Sequence, residues 1–457
     1  MKIHFIAIGG SAMHNLALAM HNGGHKVTGS DDEIFEPSKS RLAAKGLLPE
    51  NSGWYPGKIS SDIDAVILGM HARSDNSELL KAKELNLPIF SYPEFLYNQT
   101  KNKTRIVVGG SHGKTTVTAM IMHVLKNAGV KFDYMVGSLV QGFETMVAFS
   151  DDAKIAVFEG DEYLSSPIDL RPKFHLYKPH VAIITGIAWD HVNVFPTFEN
   201  YVEQFRIFTD LIEKDGVLIY YENDKEAVKL AEKARSDIKR IPYKEHPNTS
   251  KDGNAFLIFN NIETQVEVFG SHNMQNIMAA YHACETAGVS KTDFYKHIST
   301  FTGAAKRLQK ITEMQGFTMF LDFAHSPSKV KATTDAVKKQ FPDRKVVACF
   351  ELHTFSSMSE SFLPEYKGTV ESADIVCVFV NAHAFEMKRK KPFSTEQIVD
   401  GFGRKDIFVA YTTEELQQWI KEKSLTETTV LLMSSGNFNG MNLSDMAKNI
   451  SDKLATF

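Results

Sequence analysis

Short apolar runs recur along the chain, each closed by glycine, an acid or a polar turn and followed by a stretch with helical spacing. This alternation predicts parallel strands crossed by helices. Residues 3–8 read as a buried strand leading into Gly9, Gly10 and Ser11 and a helical stretch over 12–20, and residues 27–31 as a second strand ending in Asp31. Further strands are predicted at 65–69 and around 88–91, and the polar run 98–103 has the composition of a linker. The sharpest junction follows, where an apolar strand from residue 105 runs into a glycine-rich loop and Lys114 and Thr115 open a helix. Two more apolar strands end at Glu159 and His191, and residues 216–269 suggest short strands around a charged helix near 225–240. Another helix opens at 270–280, a boundary falls near 302–303, and the last section alternates helices with strands near 317–322, 345–351, 374–380 and 429–434. The pattern is α/β in three units in series, 1–103, 104–303 and 304–457.

A strand, a glycine loop and a Lys-Thr helix start make a phosphate cradle. Gly110 and Gly113 let the backbone N–H groups turn toward an anion, the helix N-terminus adds partial positive charge, Lys114 reaches outer phosphates, and the Thr115 hydroxyl suits magnesium. A nucleoside triphosphate is the expected ligand. The common phosphate-loop pattern has glycine where Val108 stands, so the loop is the shorter form Gly110-x-x-Gly113-Lys114-Thr115. As a loop cation, Lys114 is expected to carry transition-state charge and little core packing. In a parallel sheet the ends of neighbouring strands share one edge, so Glu159 and His191 are placed to face a magnesium nucleotide; Glu159 offers the hard oxygen that Mg²⁺ prefers. An acid at a strand end is as often a helix cap or a surface ion pair. Asn273 and Asn276 fall on one helical face, suited either to a purine edge or to capping. The first loop, with Gly9, Gly10, Ser11, Ser30 and Asp31, has the outline of a dinucleotide fold. Its G-x-G-x-x-G fingerprint is broken at Ala7 and Ala12, which leaves a nucleotide-sugar pyrophosphate and a redox dinucleotide both open.

Charge narrows the partners. With 51 basic and 55 acidic residues there is no polyanion-binding bias, and nucleic acid is not suggested. Cys284, Cys349 and Cys377 sit in apolar surroundings without C-x-x-C spacing, which predicts buried free thiols in a reducing compartment. No apolar run approaches the roughly 18 residues of a membrane span, so neither export nor insertion is expected and the cytoplasm fits.

In combination the motifs resemble those of the Mur ligases, the ATP-dependent amide-forming enzymes of peptidoglycan assembly, over essentially the whole chain. The loop 110–116, including Ser111, His112 and Thr116, looks like the family's ATP loop, and Glu159-Gly-Asp-Glu162 like its magnesium carboxylate motif. Residues 189–191 look like the strand-end histidine of its second metal site. The stretch 271–276 is similar to its adenine-contacting helix start, Arg307 to its domain-closing arginine and Asp322 to its ribose-binding acid. The resemblance implies a Rossmann-like N-terminal domain binding a UDP-sugar through Gly9, Gly10, Ser11, Ser30 and Asp31, a P-loop ATPase central domain, and a Rossmann-like C-terminal domain binding the amine near His325, His353 and Ser356. ATP and Mg²⁺ are the implied cofactors, with Lys114, Glu159 and His191 the catalytic set, in a monomer or weak dimer.

Within the family, the stretch 159–174 is similar to that of members joining the murein tripeptide L-Ala-γ-D-Glu-meso-diaminopimelate to UDP-N-acetylmuramate in peptidoglycan recycling. Arg171 and Lys173 of that stretch, and small side chains at Thr354, Ser356 and Ser357, then suggest a wide pocket for an amine bearing carboxylates. The alternative is L-alanine as the amine, and a reading of another class is a nucleotide-switched binding protein. Departures from the family pattern are Ser326, where a second histidine is usual, and Leu308, where a second arginine is usual.

Overall fold

The computed structural model describes all residues except 190–193, 252, 424 and 455–457. The chain divides into two units, one comprising Met1–His246 with Gln275–Ile298 and the other Pro247–Met274 with Ser299–Phe457.

The first unit holds two sheets. A four-stranded parallel sheet runs in the order Lys26–Ser30, Lys2–Ile6, Ala65–Leu68, Ile89–Ser91. Its inner strands are nearly all buried, as a parallel sheet covered on both faces requires. A seven-stranded sheet runs in the order Lys239–Tyr243, Val217–Tyr221, Val181–Ile184, Thr104–Gly109, Ile155–Glu159, Phe132–Met135, Val147–Ala148, antiparallel only at its last strand. Thr104–Gly109 lies between Val181–Ile184 and Ile155–Glu159, so the phosphate loop, Thr185 and Glu159 leave the same edge.

The second unit carries an antiparallel three-stranded sheet, Asn248–Lys251, Asn254–Phe259, Ile262–Val266. It also carries a six-stranded sheet ordered Gln309–Met314, Phe317–Asp322, Thr428–Met433, Lys345–Leu352, Ile375–Val380, Ile407–Ala410, parallel but for the first strand. Cys284, Cys349 and Cys377 are buried free thiols. Among the described residues, no helix is long and apolar enough to cross a membrane.

Three elements differ from the sequence expectation. The run 98–103 is not a loose linker: the helix Tyr92–Thr100 takes in its first half, and buried Arg105 closes the rest. The Arg105 guanidinium donates to the carbonyls of Thr100 and Lys101 at 3.0 Å and Lys103 at 3.1 Å, and to Tyr177 O at 2.8 Å, placing a cation on the helix C-terminus. The charged helix ends at Lys233, where Ala234 turns to an extended conformation, and residues 239–243 form the strand Lys239–Tyr243 instead of continuing it. Residues 164–172, read only as motif, form a small hairpin of Leu164–Ser166 against Asp169–Pro172.

Candidate active site

Gly113 takes a left-handed φ of 79° to start the helix Lys114–Asn127, and Gly110 a φ of 127°. A Cβ at Gly110 would fall 2.1 Å from Thr185 Oγ1, and one at Gly113 2.4 Å from Asn276 Oδ1, so both positions require glycine on two counts. The neighbouring strand end clasps the loop: Thr185 Oγ1 donates to the carbonyls of Gly109 and His112, and Ser111 N donates to Gly186 O at 2.9 Å.

Lys114 departs from expectation. Its Nζ lies 2.9 and 2.8 Å from the two oxygens of fully buried Glu162 and donates to Gly110 O at 2.7 Å. Burial opposes its charge, yet Glu162, Asp161 and Glu159 outweigh burial and hold the ammonium above its usual range. It is therefore a packed ion-pair partner, not a free loop cation. Tyr201 Oη donates to Glu162 at 2.8 Å and meets the Ser111 hydroxyl at 2.9 Å. Ser111 is buried, and its hydroxyl also donates to Ala188 O at 2.7 Å, so that side chain supports the loop from behind. Thr116 is buried too, while His112 is exposed on the loop.

Thr115 Oγ1 donates to Glu159 Oε1 at 2.8 Å, and Gly137 N donates to Glu159 Oε2 at 2.7 Å. Burial raises the Glu159 carboxyl above its usual range against the opposing Gly137 N–H, Lys114 and Thr115. A hydroxyl and a carboxylate side by side, beside a phosphate loop, are the hard-oxygen pair that Mg²⁺ takes when phosphates and water complete its shell. The residues thus fit that ion. His191, the other expected metal ligand, lies outside the described residues.

At the first loop the helix begins at Ser11, and Asp31 Oδ2 accepts from Gly9 N at 2.7 Å. Burial pushes the Asp31 carboxyl up to about 6, opposed by the Gly9 N–H. Ser30 is fully buried, and Lys58 Nζ donates to its hydroxyl at 3.4 Å, so Ser30 and Asp31 shape the loop from within. Asn276 stands against Gly113, whereas Asn273 Nδ2 donates to Phe269 O at 2.8 Å, one turn back on its own chain.

In the second unit the Asp322 carboxylate accepts from Leu308 N and Ala324 N, each at 2.7 Å, and the Arg307 guanidinium lies 4.7 Å from the Phe323 ring centre. His325 Nδ1 is 2.9 Å from Phe323 O, and Tyr366 Oη donates to His325 O. His353 Nδ1 lies 3.4 Å from Ser435 Oγ, and burial lowers its imidazole. Ser356 faces Thr354 across 3.2 Å, but Ser357 is buried, its hydroxyl donating to Thr354 O, so it adds no pocket width. Arg171 is ion-paired to Asp169 at 2.6 Å and to Glu94 at 3.5 Å, and Lys173 to Asp161 at 2.5 Å, so the charge expected of both for a substrate is already matched.

Sequence reasoning passed over buried Glu351. It accepts from Asn381 Nδ2 and Phe438 N at 2.9 Å each and from the Ser434 hydroxyl, tying three strand ends together. A glutamate inside an otherwise apolar strand was its signal.

Family models match in series: "Mur ligase family, catalytic domain" over residues 2–104, "Mur ligase middle domain" over 108–284 and "Mur ligase, glutamate ligase domain" over 306–436. The chain is 30% identical over 390 residues to the UDP-N-acetylmuramate–L-alanine ligase of Caldicellulosiruptor bescii, covering 82% of this chain and 83% of that protein. It is 28% identical over 456 residues to the ligase of the same name from Desulfitobacterium hafniense, covering 96% and 97%. Among solved structures, UDP-N-acetylmuramate-alanine ligase from Thermotoga maritima superposes with a TM-score of 0.73 at 21% identity over 100% of this chain and 99% of that one. A murein peptide ligase from Psychrobacter arcticus superposes with a TM-score of 0.64 at 23% identity, over 98% of each. With the three-domain α/β architecture in place and the matches running nearly end to end, this chain belongs to the Mur ligase family of ATP-dependent, amide-bond-forming ligases.

Proposed function

We propose that this enzyme uses ATP to activate the carboxylate of UDP-N-acetylmuramate and joins it to an amine, with 1–103 binding the UDP-sugar, 104–303 the ATP and 304–457 the amine. One observation carries the reading: Lys114, Glu162, Thr115 and Glu159 converge behind a phosphate loop whose glycines admit no side chain.

The chemistry follows from charge. The γ-phosphoryl group passes from ATP to a carboxylate oxygen, ADP leaves, and the amine nitrogen attacks the carbonyl carbon of the acyl phosphate. A tetrahedral intermediate then expels phosphate, and the nitrogen gives up a proton. Phosphoryl transfer needs in-line placement and cations over the transferred oxygens. Lys114, pre-aimed by Glu162 and Gly110 O, supplies one such cation. Thr115 and Glu159 would hold a magnesium ion, which would supply further charge neutralisation there. The first loop offers N–H groups and a helix start to a pyrophosphate, with Asp31 fixing the loop.

For the amine we take the murein tripeptide, on the stretch 159–174 and on a loop, 353–357, that contains no arginine to fit a single amino-acid carboxylate. L-Alanine is the second reading, favoured by the names of the relatives, which act with that amine. At identities of 26–30% over such relatives the fold and ATP chemistry carry over more firmly than a side-chain pocket does. The experiment is ADP release with each amine. Release dependent on both UDP-N-acetylmuramate and an amine is expected, with kcat/KM for the tripeptide at least about 100-fold above L-alanine, or roughly 2.7 kcal/mol. A higher value for L-alanine replaces the amine, and release without any amine removes the ligase reading.

A further inference from the structure

The proposed tripeptide carries several carboxylates, and the cations expected to meet them, Arg171 and Lys173, are taken up by Asp169, Glu94 and Asp161. A different set of ammonium groups stands at the carboxyl edge of the six-stranded sheet, the edge where open α/β sheets bind ligands. Lys306 Nζ donates to Gly436 O at 2.9 Å, on the loop after the strand Thr428–Met433. Lys388 Nζ donates to His353 O, on the loop after the neighbouring strand Lys345–Leu352. Lys390 Nζ donates to Phe355 O at 2.8 Å and lies 4.2 Å from the centre of the Phe355 ring, itself 67% exposed.

The local chain explains the convergence. After the helix Ala382–Met387, Arg389 takes a left-handed φ of 53°, and the N–H of Lys390 turns back to Phe385 O at 2.9 Å. That reversal aims Lys388 and Lys390 at the same loop, 353–355. Gly436 closes the site from the other side: a Cβ there would fall 2.6 Å from His353 Cδ2, so His353 and the two strand-end loops are in contact.

Each ammonium spends a single N–H on a backbone carbonyl and keeps two. Among the described residues, none of the three is ion-paired with a carboxylate, in contrast to Lys114, Arg171 and Lys173. Glu351 and Asp322, acids at strand ends of this edge, are already satisfied, Glu351 by Asn381, Ser434 and Phe438 and Asp322 by Leu308 N, Ala324 N and the Thr333 hydroxyl. Burial first, and then Lys390, lower the Lys388 ammonium, while Glu351 opposes them. Like charges held together half-buried are relieved by an anion between them.

We propose that Lys306, Lys388 and Lys390 form the recognition site for the carboxylates of the amine substrate, and so select a peptide bearing two or more carboxylates over a single amino acid. The inference rests on the amine reading above and adds the residues that enforce it. One amino-acid carboxylate needs one cation; three spread over two adjacent loops match a longer polyanion. The same ammonium groups would also suit phosphate, and the test separates the two sources.

The full-length enzyme carrying Lys388→Gln, Lys390→Gln and both together is assayed by ADP release, varying the tripeptide, L-alanine, ATP and UDP-N-acetylmuramate in turn, with melting curves to confirm folding. The double variant is expected to raise KM for the tripeptide about tenfold or more, to leave kcat within about twofold, and to change KM for L-alanine less than about threefold. Lys390→Arg should behave as wild type. Unchanged tripeptide KM in folded variants overturns the proposal, as does an increase in KM for ATP in its place, which would make this a phosphate site. The wild-type ranking of amines reports separately on the amine reading: tripeptide preference with inert lysines removes only this site. L-Alanine preference with a tenfold tripeptide effect keeps the site and removes the amine.

Discussion

Replacing Lys114 with methionine should remove activity and also loosen the fold. Glu162 is fully buried and the Lys114 side chain 16% exposed, with Nζ against both carboxylate oxygens. Removing one partner of a buried pair leaves a lone charge and costs about 3–5 kcal/mol. Tyr201 still donates to Glu162, and Lys114 retains some solvent, so the cost falls just below that range, at about 2–3 kcal/mol. For a unit of this size that lowers Tm by roughly 5–8 °C. The double variant Lys114→Met/Glu162→Gln removes the stranded charge and should recover most of that loss, while ATP-dependent turnover stays absent in both. Differential scanning calorimetry with parallel ADP-release assays reads both quantities. A single variant melting with the wild type would show that the pair contributes nothing to folding, and a double variant with turnover would remove Lys114 from the chemistry.

Glu159→Gln should raise the Mg²⁺ needed for half-maximal turnover about 10- to 100-fold with KM for UDP-N-acetylmuramate nearly constant; an unchanged Mg²⁺ curve returns Glu159 to a structural role. Asp31, held at about 6 by burial, binds its proton more tightly folded than unfolded, so its ionised form destabilises the fold above pH 6 and the penalty fades as pH falls from 6 toward 4. Asp31→Asn should therefore melt above wild type at pH 8 and converge with it near pH 4; a pH-independent gap would contradict the assignment. Arg105→Met strands buried carbonyls at Thr100 and Tyr177 and should lower stability by about 3 kcal/mol in urea unfolding, and a loss below about 1 kcal/mol would show that solvent replaces the guanidinium.

The strand-loop-helix of 104–127 was legible because its signals are local: an apolar run, glycines at turning points and Lys-Thr at a helix start. What Lys114 does was not, because its partner Glu162 arrives from a different strand end and its neighbour Tyr201 from a helix further on. Arg105 stands at the start of the apolar strand and carried no reading of its own in the sequence, and only folding shows that it closes the helix behind it. Arg171 and Lys173 carried a substrate reading in sequence because their counter-ions, Glu94 and Asp161, become partners only through the hairpin Leu164–Ser166 and Asp169–Pro172. Lys388 and Lys390 gave no periodic signal; a left-handed turn at Arg389, which sequence does not announce for arginine, brings them onto the 353–355 loop.

Arg105 also bears on how the two loops of the first unit can move. It welds the end of the helix Tyr92–Thr100 to the carbonyls around Tyr177, and a second arginine does the same elsewhere: Arg41 donates to Asn15 Oδ1 at 3.0 Å and to Glu144 O at 2.8 Å. Asn15 in turn accepts from Met146 N at 3.0 Å, on a segment whose other arm supplies the Gly137 N–H to Glu159. The helix that starts at Ser11 and the carboxylate beside Thr115 are thus members of one hydrogen-bonded frame. These bonds tie their separation to the fold of the first unit. On the proposed function, anions seated on the two loops would meet at a spacing that binding does not have to create, and the entropy of bringing them together would be spent in folding, once per molecule instead of once per turnover.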